Sequence, residues 1–473
     1  MQMKTSQEIT RLSGARGIRA FRKLRFRNCF LLFILLSLVA VSSVAQESDV
    51  YTVFTEVAEL AARREFSAAL ELFDRIDEAE AQTSPVQLMR ATILNSAGRH
   101  AEARTVASGI VSREPENVDA MLIIAAAFAA EGRTRDQRLQ LERILTIEPQ
   151  NLRVLSDLGF NALRTDAFRT AAGHFERALA IDENFPEALV GRAVLYRFAR
   201  NPQRSEQLLN RAIQQNPHWA TPFHERARLY RGAGFLNDAL NDLNTARRLE
   251  PDNYWISVDR AITLIEMGRR EEALEELDRA VPLSPESFIA YVYRAGLRDQ
   301  AGDFEGAAED FITLMRIRPE YFFAAEGLGI IRMRQQRHAE ARDAFLAAYR
   351  QAPREFRYAL LAAYNWMMAG RPTDPRQFLS QVLRTAPRDS PEWHLLRMFH
   401  DRSGDIDVAA RAEREQNFDN RAIMTFYLGL FHDAMGRRNT ANSFFLRVRE
   451  LNRRGIIEWN INEMMLEQRG LGN

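Results

Sequence analysis

From about residue 50 onward, apolar residues recur at three- and four-residue spacing in short runs separated by polar breaks. That is the 3.6-residue period of amphipathic helices rather than the two-residue period of strands. The runs themselves repeat. Eight of the 16 prolines stand on one arithmetic series, Pro115, Pro149, Pro217, Pro251, Pro285, Pro319, Pro353 and Pro387, spaced by 34 or 68 residues, with Glu183 at the skipped place. Numbering each unit so that this proline is position 32 starts units at 50, 84, 118, 152, 186, 220, 254, 288, 322, 356 and 390, with a twelfth shifted by two to 422. Position 8 is then Ala or Gly in ten of the twelve units, position 20 is Ala in nine, and Gly stands at position 15 in eight. Position 24 is mostly large and apolar and position 27 mostly small, as in Phe175/Ala178 and Phe345/Ala348.

The pattern predicts a pair of helices per unit. Gly at position 15 supplies the left-handed residue that ends the first helix. Small residues at 8 and 20 let the two helices approach, and the large residue at 24 fills the remaining space. Proline at 32 stops the second helix, because it has no N–H to donate to the preceding turn. The fold class expected is therefore all-α. The 34-residue unit with small residues at 8, 20 and 27, as in Ala227, Ala239 and Ala246 with Tyr230 and Pro251, resembles the tetratricopeptide repeat. The resemblance covers residues 50 to 453 and implies a right-handed α-solenoid of about twelve helix pairs whose concave face takes a protein or peptide partner.

Departures mark irregular places. Unit five has Arg200-Asn-Pro202 in place of the Gly turn; unit ten has Pro372-Thr-Asp-Pro375, so its second helix should start late. Unit eleven is two residues short and carries Arg397 at position 8 and Glu413 at 24, where packing should be weakest. Position 7, usually apolar in the family it resembles, is Arg90, Arg192, Arg226, Arg260 and Arg294. A basic ladder for an acidic ligand is one reading. Structural ion pairs are the other, and the chain supports them internally: Arg226, Arg260 and Arg294 share their units with Asp242, Glu276 and Asp310 at position 23, whereas Leu158, Leu328 and Ala362 do not face an acid. Arg90 and Arg192 break this rule.

In the family, positions 2, 5, 6, 9, 12 and 13 line the groove. Mapped onto units four to six they give a polar groove including Arg164, Arg197, His224, Arg228 and Arg231. Mapped onto units seven to ten they give an apolar one: Trp255, Val258, Ile262, Ile289, Val292, Tyr293, Phe323, Ile330, Met333, Leu360, Leu361, Tyr364 and Met367. Either this stripe is open to a peptide or amphipathic helix, or tight coiling covers it with neighbouring first helices. The family's grip on a C-terminal carboxylate, through Lys and Asn, lacks its residues here.

Residues 454–473 are expected to add a capping helix, because a terminal repeat otherwise leaves an apolar side in water. Ile457, Ile461, Met464 and Met465 form its inward stripe, and Trp459 with Leu466 a second patch suited to a partner or a second copy of the chain.

Composition narrows the chemistry. The only cysteine is Cys29 and the only lysines are Lys4 and Lys23, so the repeats have no thiolate, disulfide, Schiff-base lysine or phosphate-loop lysine. The eight histidines are scattered over seven units, and His224-Glu225 is followed by Arg228 rather than a second His. No enzyme activity, metal or cofactor is expected. The 64 basic and 63 acidic residues hide an asymmetry, since the first 45 hold eight of the basic ones and one acid, leaving a mildly acidic body with no footprint for nucleic acid. Those 45 residues read as a secretory signal: arginines from Arg11 to Arg27, an apolar run from Cys29, and Ser43-Val-Ala45 for cleavage. An uncleaved anchor is the alternative, and would be the protein's membrane contact. The function expected is a non-enzymatic, exported scaffold of a bacterial periplasm or envelope that binds another protein. The alternative is an oligomeric component of a polysaccharide-export or outer-membrane assembly apparatus.

Overall fold

The computed structural model describes residues 49–370 and 374–472, and among them every regular element is a helix. The expected signal or anchor, residues 1–45, and residues 371–373 of unit ten lie outside the described residues. No helix among those described is long and apolar enough to cross a membrane.

The helices come in pairs on the 34-residue lattice, for example Val118–Ala130 with Thr134–Ile147, Leu152–Leu163 with Phe168–Ile181, Pro186–Phe198 with Pro202–Gln215, and Ala220–Gly232 with Leu236–Leu249. Each pair turns on one left-handed residue at position 15. Eight of these are glycines, such as Gly98 (φ 81°) and Gly302 (φ 81°); Arg64, Asp166, Arg200 and Gln336 take the same region at φ 55–66°. The following amide then reaches back to the first helix, Arg99 N to Leu94 O and Phe235 N to Tyr230 O, both 2.9 Å, which satisfies a carbonyl the helix end leaves open. The Arg200-Asn-Pro202 departure keeps this geometry: Arg200 supplies the left-handed residue, Asn201 caps the second helix by accepting from Arg204 N, and Pro202 is its first residue. Second helices such as Thr134–Ile147 and Leu236–Leu249 end two residues before the lattice prolines. In unit ten the second helix is the shortened Asp374–Leu383.

In units four, nine and twelve the packing between the helices of a pair sets a ring against bare backbone. Phe175 is fully buried between Gly159 of its own unit and Gly191 of the next, where an added Cβ would lie 2.5 and 2.2 Å from the ring. Phe345 sits likewise against Gly329, and Phe445 against Gly429. In unit eleven the frame slips: Arg397, assigned to the small inward position, is exposed and pairs with Asp401 at 3.0 Å, because Leu395, Leu396, Met398 and Phe399 fill the inward side of Pro391–Asp401.

The described residues divide into two compact units, 49–259 and 260–472. In the first, the large core gathers around Phe175, Leu189, Val190 and Leu209. In the second, one continuous core runs from Ala325 to Leu466 and takes in Phe345, Tyr358, Tyr364, Phe399, Phe431 and Phe445. The C-terminal helix Ile457–Glu467 belongs to that core. It packs Ile461, Met464 and Met465 inward, and Asn462 Nδ2 donates to Phe445 O at 3.0 Å. The second apolar patch expected on this helix is not there. Leu466 is fully buried and Trp459 packs at the edge of the same core, because the helix is covered on two sides: by Phe418–Ala434 and Arg438–Leu451, and by Phe322–Arg334, where Gln468 Nε2 donates to Arg334 O at 2.7 Å.

Candidate functional site

The first helices of units five, six and seven place Arg197, His224, Glu225, Arg228, Arg231 and Asp259 on one face, and the structure joins them into a single network. Arg at position 12 of one unit reaches the acid at position 6 of the next: Arg197 Nη2 lies 3.1 Å from Glu225 Oε2, and Arg231 Nη1 lies 3.1 Å from Asp259 Oδ1. Arg228, between these rungs, bridges both carboxylates, with Nη1 at 2.8 Å from Glu225 Oε1 and Nε at 2.7 Å from Asp259 Oδ2. His224 Nε2 is 2.6 Å from Asp259 Oδ2. Glu225 and Asp259 are buried.

Burial alone would push both carboxyls up, but the Arg228 guanidinium, with Arg197 beside Glu225 and Arg231 beside Asp259, outweighs it and holds both below their usual values, Asp259 well below. Burial and the nearby Arg228 lower the His224 imidazole, so it is neutral at pH 7. Its bond to Asp259 is then donated by an Nε2–H, since a carboxylate only accepts. Arg164 belongs to a different arrangement: its guanidinium donates to Gln137 Oε1, which also accepts from Asn161 Nδ2 at 2.9 Å. The polar groove residues are therefore fixed by one another rather than splayed into solvent. Asp259 was not among the expected groove residues, yet the 28-residue offset from Arg231, equal to that from Arg197 to Glu225, would have found it.

The apolar stripe expected in units seven to ten is partly closed. Val258 is buried in the first compact unit; Ile262, Met333, Leu360, Leu361 and Tyr364 are buried in the second. Trp255, Ile289, Val292, Tyr293, Phe323, Ile330 and Met367 are half-buried. The cause in the second unit is contact between first helices well separated in sequence: Phe356–Met368 packs against both Pro391–Asp401 and Phe418–Ala434, and Tyr364 donates to Asp433 Oδ2 at 2.8 Å. Leu360, Leu361 and Tyr364 are therefore core rather than the lining of an open groove.

Four of the five position 7 arginines make ion pairs. Arg226 grips Asp242 with two bonds of 2.7 Å and Asn210 of the preceding unit with a third of 2.6 Å. Arg260 Nη1 is 2.5 Å from Glu276 Oε1. Arg294 holds Asp310 at 2.9 and 2.6 Å and Asp278 of the preceding unit at 2.8 Å. Arg192, which lacks an acid in its own unit, finds Glu176 of the unit before at 3.0 Å. Arg90 is exposed. Among the described residues no group of three or more His, Cys, Asp or Glu is placed to hold a metal ion.

The family models that match the chain agree with this geometry. Two family models described as tetratricopeptide repeat match, one over residues 230–293 and the other over 88–151 and 326–390. No curated protein matches the chain. Similar solved structures include the APC/C hetero-tetramer Cut9–Hcn1, 13% identical over 65% of this chain and 59% of that one, with a TM-score of 0.48. Others are a tetratricopeptide repeat protein from Parabacteroides merdae, 18% identical over 52% and 96% with a TM-score of 0.42, and PilF of Pseudomonas aeruginosa, 18% identical over 44% and 94% with a TM-score of 0.37. With separate stretches of the repeat array matched and one left-handed turn recurring at position 15, the chain is a tetratricopeptide repeat protein.

Proposed function

We propose that this protein is an exported, non-enzymatic scaffold that holds another protein against the first-helix face of its units four to six. The observation that carries the reading is the contrast between the two stretches of that face. In units seven to ten six of the thirteen apolar positions, Leu360, Leu361 and Tyr364 among them, are buried in the chain's own core, whereas in units four to six Arg153, Asp157, Glu187, Arg197 and Arg228 are charged side chains left half-buried on the helix face. Charged groups held in place by neighbours read charge and register in a partner, which confers specificity more than raw affinity. An extended or helical segment bearing both signs of charge is the partner this face suits. Repeat arrays of this kind present such surfaces to proteins.

A photo-crosslinking residue at position 157 or 187, in protein expressed in its native envelope, should capture a discrete partner, while the same residue at exposed position 177 should not. Equal capture at all three positions, or none, refutes the assignment of the face. Export belongs to the same proposal and rests on the basic, apolar and small-residue order of residues 11 to 45. Intact mass of the native protein checks it: a chain beginning at Gln46 is expected, and one retaining residues 1–45 would make the scaffold membrane-anchored.

A further inference from the structure

The C-terminal helix is seated by two unlike sets of contacts. Its C-terminal end is held by ordinary ionic and polar bonds. Arg469 Nη2 lies 2.5 Å from Asp433 Oδ1, Arg449 Nη2 lies 2.9 Å from Glu463 Oε2, and Arg449 Nη1 donates to Leu471 O at 2.9 Å. Its N-terminal end instead buries a carboxyl group. Glu458 is 1% exposed; Tyr427, on Phe418–Ala434, offers its hydroxyl to Oε1 at 3.4 Å, and Oε2 has no hydrogen-bonding partner among the described residues. A second buried carboxyl, Glu326, comes to the same seam from Phe322–Arg334, where Tyr358 of Phe356–Met368 donates to its Oε2 at 2.5 Å. The charged groups facing the pair are Arg357, also on Phe356–Met368, and Glu355, whose carboxylate Arg357 holds at 2.9 Å. The two tyrosines stay protonated, their hydroxyls raised chiefly by burial. One guanidinium, already committed to Glu355, therefore serves two buried carboxyls.

We propose that residues 457–471 are a proton-dependent latch, seated on the second compact unit while Glu326 or Glu458 carries a proton and loosened at its N-terminal end when both are ionised. A buried carboxyl with one oxygen lacking any donor costs far less as a neutral acid than as an anion. Both groups are displaced in the required direction: burial raises Glu458, and burial pushes Glu326 up to about 7, against the opposing bond from Tyr358 and charge of Arg357. The sign follows from linkage. Groups raised in the seated state favour seating below their free value, and that advantage is lost as pH rises through the seated value. The switch therefore lies between mildly acidic and mildly alkaline conditions, with the proton released to solvent on opening. The ionic contacts of Arg469 with Asp433 and of Arg449 with Glu463 tether the far end.

Hydrogen exchange of the amides of residues 460–467 in the full chain, corrected for intrinsic exchange, measures the opening. Between pH 6 and pH 8 the opening equilibrium should rise by up to about tenfold from Glu326 alone, the ratio expected for a carboxyl moved from its ordinary value to about 7. Amides of His338–Gln351 should show no such change. In Glu326→Gln/Glu458→Gln the pH dependence should vanish, with the helix more protected at pH 8 than in the wild type. A wild-type opening equilibrium equal at the two pH values overturns the proposal, and so does a double variant that keeps the wild-type slope. The wild-type measurement decides even if the variant folds poorly.

Discussion

Gly191→Ala should destabilise the first compact unit although alanine is the better helix former. An added Cβ at Gly191 would lie 2.2 Å from Phe175 Cζ and 2.3 Å from Cε1. Carbon atoms in contact sit about 3.5–4.0 Å apart, so the ring would have to retreat by more than 1 Å. It has nowhere to go. Phe175 is 0% exposed, Gly159 closes its other side, and Phe160 meets it edge-on with centroids 5.0 Å apart. Overpacking of this kind costs about 1–3 kcal/mol, and a clash this deep belongs at the upper end. Helix propensity returns about 1 kcal/mol, which leaves a net loss of about 2 kcal/mol. Gly173→Ala is the control: the glycine lies within Phe168–Ile181 with no atom within 4 Å of the added carbon, so the same substitution should gain up to about 1 kcal/mol. Because a repeat array need not unfold in one step, the comparison is best made by native-state hydrogen exchange of Pro186–Phe198 and its neighbours under increasing urea. If Gly191→Ala is as stable as Gly173→Ala, the bare backbone at position 191 is not what admits the ring. A lower cost for Gly191→Ala in a Phe175→Leu background would locate the clash directly.

Arg260→Ala should cost about 3 kcal/mol by leaving Glu276 buried without its guanidinium, and a double-mutant cycle with Glu276→Gln should show strong coupling; a coupling near zero in urea unfolding would remove the pair from the fold's supports. Asp259 is held well below the usual carboxylate range, so its contribution is present above the free value and is lost as pH falls through the folded one; the first compact unit should weaken below about pH 4, and Asp259→Asn should flatten that dependence while lowering stability at pH 7, as measured by urea midpoints across pH. Gln336→Gly should stabilise the second unit by up to about 1 kcal/mol, since Gln336 stands at φ 56° where glycine carries no Cβ penalty, and Gly302→Ala should lose a similar amount by thermal unfolding.

The proline lattice and the small residues at positions 8 and 20 specify helix pairs because both constraints are local: a proline lacks a donor wherever it stands, and two helices joined by a turn of three residues in most units must pack on each other. The ion pairs were legible for the same reason, since Arg226 and Asp242 are 16 residues apart within one unit and their counterparts recur in the next two. Relations across units were less legible. Arg192 to Glu176 and Arg231 to Asp259 need the stacking of neighbouring pairs before they mean anything, although once the offset is known the chain displays it. What no periodicity could decide is which residues of the first-helix face remain open. Burial of Leu360, Leu361 and Tyr364 depends on Phe356–Met368 meeting a helix two units on, and burial of Leu466 depends on the last helix returning to Phe322–Arg334. Those contacts are set by small rotations accumulated from pair to pair, which vary with unit length and side-chain volume and leave no mark on the 34-residue repeat. The same accumulation brings Glu326 and Glu458, which no spacing relates, onto one buried seam.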